Sequence, residues 1–67
     1  MAKIKKEFSQ LLYERRILKK MSREQLGRIL NIRPQNIYLW ENGREPKMNL
    51  FIRVCRYFDI KLSEIKD

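Results

Sequence analysis

The chain has no histidine, one cysteine, two glycines and two prolines in 67 residues. Each scarcity removes a class of protein. A single cysteine cannot build a disulfide framework within one chain, and without histidine a zinc site lacks its usual ligands. Both fit a reducing, cytosolic setting. No apolar run approaches the roughly 20 residues that span a bilayer. The basic start Met-Ala-Lys-Ile-Lys-Lys lacks the apolar stretch of a signal peptide. No carboxylates cluster on one face, and no glycine-rich phosphate loop or metal-ligand spacing is present. The expectation is no enzyme, no metal, no cofactor, no membrane and no small-molecule ligand. Strand signals are missing too. No alternating run occurs, and Asn42-Gly43 follows a helical pattern, so it reads as a helix end.

Basic charge is what the chain has in excess. Sixteen Lys or Arg against eight Asp or Glu give +8 and a pI near 10.1, alongside 43% hydrophobic residues. A polyanion is the partner such a charge suits. The charge is lopsided. Residues 1–33 hold ten basic and three acidic residues, a net of +7, and residues 34–67 hold six and five, a net of +1.

A single all-α domain over residues 1–67 is expected, with five helices. The first runs from Lys5 or Glu7 to Lys19, with Phe8, Leu11, Leu12 and Ile17 or Leu18 inside. The second runs over 23–30. Ser22 with Gln25 three residues on is a capping box, flanked by Met21 and Leu26 at the staple positions. Leu26, Ile29 and Leu30 form its apolar stripe. Asn31 suits a left-handed turn. Pro34 fits the first position of the third helix, which ends near Glu41, with Gly43 as its stop. Pro46 biases Glu45 away from helical geometry and leaves Arg44–Lys47 as a loop. The fourth helix runs from Met48 or Asn49 to Phe58, with Leu50, Phe51, Val54, Cys55 and Phe58 at helical spacing. Cys55 reads as a small buried hydrophobe. A short fifth helix covers Leu62–Lys66.

Two short helices joined by a tight turn form the unit that sets one helix into a DNA major groove. The third helix divides into two faces. Ile37 and Trp40 face the core, flanked by Asn36 and Glu41. Pro34, Gln35, Tyr38, Leu39 and Asn42 face outward, and an exposed Tyr-Leu pair beside an amide is a binding-surface signal. Glutamine can pair with N6 and N7 of adenine, and leucine can touch a thymine methyl. Pro34, Gln35, Tyr38 and Leu39 are therefore the candidate base readers, with a preference for A·T-containing half-sites. Arg23, at the anion-attracting start of the second helix, is a candidate phosphate contact, as are Arg33, Asn42, Arg44 and Lys47.

On these residues the chain resembles the phage repressor/Cro helix-turn-helix family, also called Xre. The likeness runs from about Leu11 to Ile65. It is carried by Arg16, Met21-Ser22 with Gln25-Leu26, the turn at Asn31-Ile32, Ile37, Glu41-Asn42-Gly43 with Pro46, and Leu62 with Ile65. The resemblance implies a lambda-repressor-like fold and an ion pair between Arg16 and Glu41. It also implies a cytoplasmic, nucleoid-associated regulator in a bacterial or phage-infected cell, acting as a homodimer on a double-stranded DNA operator. Departures are visible. Gly27 stands where the family usually has alanine, so the second helix is expected to be slightly weakened. Arg23 replaces a glutamine that touches phosphate and braces the recognition helix. Arg33 replaces a serine or threonine cap. Dimerisation is expected through the fourth helix and Ile60–Ile65, on the apolar surface of Phe51, Tyr57, Phe58 and Ile60. The rival reading from the same residues is an antitoxin or adaptor whose Tyr38-Leu39 face binds protein.

Overall fold

Helix α1 begins at Phe8 and ends at Leu18, one residue short of the expected span at its end and after the expected Lys5 or Glu7 at its start. The computed structural model describes residues 5–66. Lys6 is diverted from the helix into a single parallel bridge with Ile65. Its N–H donates to the Glu64 carbonyl at 3.0 Å, and its carbonyl accepts from the Lys66 N–H at 2.8 Å. The two ends of the described chain are thereby joined. After α1 come α2 (Arg23–Leu30), α3 (Pro34–Glu41) and α4 (Met48–Phe58). The expected fifth helix is instead one 3₁₀ turn, Leu62–Glu64, so the described residues hold four α-helices. Ile65 is extended, at φ −95° and ψ 131°, because it serves the bridge to Lys6.

All four helices stop in the same way. The chain turns left-handed just past the last turn, and the next N–H reaches back to a carbonyl five residues earlier. Lys20 (φ 55°), Asn31 (φ 57°), Gly43 (φ 105°) and Asp59 (φ 53°) make the turns. The reaching donors are Met21 to Arg16, Ile32 to Gly27, Arg44 to Leu39 and Ile60 to Cys55, at 2.8–3.1 Å. Ile32 and Ile60 are buried. At these two turns the hydrophobic residue thus folds back under the helix it terminates.

The core comprises Leu11, Leu12, Leu26, Leu30, Ile32, Ile37, Trp40, Val54, Phe58 and Ile60. Phe8 packs against Phe51 with the rings tilted and their centroids 4.9 Å apart, joining α1 to α4. Arg53 Nη1 donates to the Leu30 carbonyl at 3.0 Å, joining α4 to the end of α2. Arg15 reaches the Phe58 carbonyl and pairs with Glu64.

Several apolar positions lie outside this core. Ile17 and Leu18 are exposed, against expectation. The inward position of the last turn of α1 goes to Arg16, which leaves no buried place for either. Ile29 is 55% exposed, because Leu26 and Leu30 alone fill the contact of this two-turn helix. Cys55 is half-buried rather than buried.

Candidate DNA-binding surface

The turn between α2 and α3 is set by backbone contacts. Ser22 Oγ accepts from the Gln25 N–H at 3.0 Å, and Gln25 Oε1 accepts from the Ser22 N–H at 2.9 Å. This reciprocal cap fixes where α2 begins. At the other end the chain passes so close to Gly27 that a Cβ there would lie 2.3 Å from the Ile32 carbonyl oxygen. Gly27 has a role here that helix propensity does not describe. It is required by the close approach of the turn, whatever its cost to helix propensity. Pro34 then opens α3, and Arg33 precedes it without a side-chain cap.

α3 turns Ile37 and Trp40 into the core and leaves Pro34, Gln35 and Tyr38 exposed. Leu39 is half-buried, so only part of its side chain is on the outer surface. Asn42 is exposed, but its Nδ2 donates to the Tyr38 carbonyl at 2.8 Å and helps close the helix. Arg33, Arg44 and Lys47 are exposed and have no ion pair among the described residues. Arg44 is placed by its backbone bond to Leu39 across the left-handed Gly43.

Behind this face lies a charged cluster. Arg16 and Glu41 come together, with Nε to Oε2 at 2.6 Å and Nη2 to Oε1 at 3.2 Å. Arg16 Nη1 also donates to the Met21 carbonyl at 2.8 Å. The Glu41 side chain is 2% exposed and that of Arg16 7%. Arg23 joins the cluster, its Nε donating to Glu41 Oε1 at 2.9 Å. Its guanidinium carbon lies 5.2 Å from the centroid of the Tyr38 ring. Arg23 thus bridges α2 and α3, so the arginine braces the recognition helix as the family's glutamine does. The residue spacing carries no signal for this, because Arg23 and Glu41 meet only once the turn has folded the two helices together.

A family model described as helix-turn-helix matches residues 12–65. The chain belongs to that family, the Xre/Cro-type helix-turn-helix DNA-binding proteins. These are transcription regulators, a regulatory class rather than an enzymatic one. No curated protein and no solved structure is matched significantly by the chain. No helix among the described residues is long and apolar enough to cross a membrane.

Proposed function

We propose that the chain is a sequence-specific repressor that binds its operator as a homodimer in the cytoplasm, with α3 in the major groove. Pro34, Gln35, Tyr38 and Leu39 meet base edges. Arg33, Asn42, Arg44 and Lys47 hold phosphates on either side and set register. The protein acts by occupying DNA. The observation that carries this reading is the outward face of α3. It leaves an amide and an aromatic ring, Gln35 and Tyr38, exposed between Arg33 and Arg44, cations with no ion pair among the described residues.

The test is selection of bound duplexes from random oligonucleotides, followed by titration of the winner at several salt concentrations. A palindromic motif is expected. The logarithm of the affinity should fall against that of salt with a slope near −0.9 for each phosphate neutralised by a cation, about six in all for Arg33, Arg44 and Lys47 of two subunits. No enriched motif together with salt-insensitive binding of a protein partner would establish the antitoxin or adaptor reading in its place.

A further inference from the structure

We infer that Arg23 is a positioning residue of the reading surface and not a phosphate clamp: it holds the Tyr38 ring in place and makes Tyr38 a determinant of base choice. This rests on the DNA-binding reading above and names a role within it. Arg23 is anchored at Nε to Glu41, whose carboxylate is nearly fully buried and is already fixed from the other side by Arg16. The same guanidinium stands 5.2 Å from the Tyr38 centroid. Tyr38 is 49% exposed, on the outer face of α3. An exposed ring ordinarily loses rotamer freedom when it docks. A ring already set against a guanidinium that is itself tied down has surrendered most of that freedom in the free protein.

Charge points the same way. Swinging the whole Arg23 guanidinium out toward a phosphate breaks its Nε bond to Glu41 and strips the cover from Tyr38. Arg33, Arg44 and Lys47 need no such exchange, since no ion pair holds them among the described residues. They are the cations free to displace counterions.

Arg23→Lys separates the two roles. Lysine keeps the charge, but as a point charge it lacks the planar fork that pairs with Glu41 while lying against the ring. Arg23→Gln removes the charge as well. Both leave the Arg16–Glu41 pair in place, and thermal melting of each checks that the fold is intact. The variants and Tyr38→Ala are titrated against the selected duplex and its single-base changes at several salt concentrations. Independently of DNA, the Tyr38 ring proton shifts of the free proteins are followed by NMR.

Both Arg23 variants are expected to shift the Tyr38 resonances. Both should reduce a preference of roughly tenfold at one base pair to within about threefold, leave the salt slope unchanged, and add little to Tyr38→Ala. If Arg23→Gln instead lowers the slope by about one unit per subunit and Arg23→Lys restores full binding, Arg23 is a phosphate clamp and the inference fails. Unmoved Tyr38 resonances in both variants overturn it as well. A parent protein with no preferred duplex overturns the DNA-binding reading and this one together. Failure of this inference alone is recognised when parent and variants discriminate equally.

Discussion

Arg16 and Glu41 form a two-bond ion pair that joins α1 to the last turn of α3 almost out of reach of water. Taking two charges out of water is costly, and the cost is recovered only where the remaining donors and acceptors find partners. Here they do. Arg16 has the Met21 carbonyl as its third acceptor, and Glu41 has Arg23 as its second cation. The cluster fixes the end of the helix that carries the reading surface.

Glu41→Gln should therefore destabilise the protein by about 3–5 kcal/mol, the range for stripping one partner from a buried pair. Urea unfolding followed by circular dichroism measures it. Arg16→Lys should not preserve stability, because one ammonium cannot serve both Glu41 oxygens and the Met21 carbonyl in the same geometry. A loss below about 1 kcal/mol for Glu41→Gln would show that the pair contributes as little as an exposed one.

Gly27→Ala should also destabilise, although alanine gains up to about 1 kcal/mol of helix propensity over glycine. The new methyl would sit 2.3 Å from the Ile32 carbonyl oxygen, a backbone atom, and Ile32 is buried. Relief requires α3 to move away from α2. Thermal melting decides the sign, and a higher midpoint for Gly27→Ala overturns the close-approach argument.

Much of the frame was legible in the sequence because it is written in local signals. The Ser22–Gln25 box, Asn31 in the left-handed region, Pro34 at the first position of α3 and the Gly43 stop each depend on neighbours within a few residues. The inward placement of Ile37 and Trp40 follows from helical period alone. What the sequence did not carry is tertiary. Leu18 and Ile29 are apolar at plausible core spacing, yet Arg16 and Leu30 occupy the inward positions beside them. Gly27 reads as a weak helix residue until the returning chain is seen against it. Arg23 reads as a free surface cation until Glu41 and Tyr38 arrive from a separate helix. The same limit affects the dimer surface. Phe58 and Ile60 belong to the core, and the apolar residues exposed on that side are Met48, Ile52 and Leu62.

If the proposed dimer uses that side, Ile52→Asp should weaken it without unfolding the chain, since Ile52 is exposed on α4. Sedimentation at rising concentration measures the association, and cooperative binding to a two-half-site duplex should fall with it. Parent protein that stays monomeric both alone and on that duplex removes the proposal.

Cys55 offers an internal reporter for the same surface. Burial pushes its thiol above the ordinary cysteine range, and the nearby Glu64 carboxylate adds to the shift. The thiolate is the reactive form, so labelling near neutral pH should be slower in the folded protein than in urea, and should accelerate as pH rises. Half-buried on α4, the thiol should become further protected as protein concentration rises. Folded protein that labels as fast as unfolded chain contradicts the geometry of α4.

The reading face itself is tested by three substitutions with different expected signatures. Gln35 is exposed on the first turn of α3, so Gln35→Ala should leave stability unchanged. It should cost about 1–3 kcal/mol on the preferred duplex and relax the choice at one base pair. Leu39 is half-buried, so Leu39→Ala should lose some stability in addition to a weaker effect at a neighbouring thymine. Its binding must therefore be compared at equal folded fraction. Arg44 is exposed and without an ion pair among the described residues, so Arg44→Ala should weaken all duplexes alike and lower the salt slope by about one unit per subunit. Titrations against matched and single-base-changed duplexes at several salt concentrations separate the three. Unchanged discrimination in both Gln35→Ala and Leu39→Ala would mean that α3 is not the reading element. An unchanged slope in Arg44→Ala would mean that the loop after it does not grip the backbone.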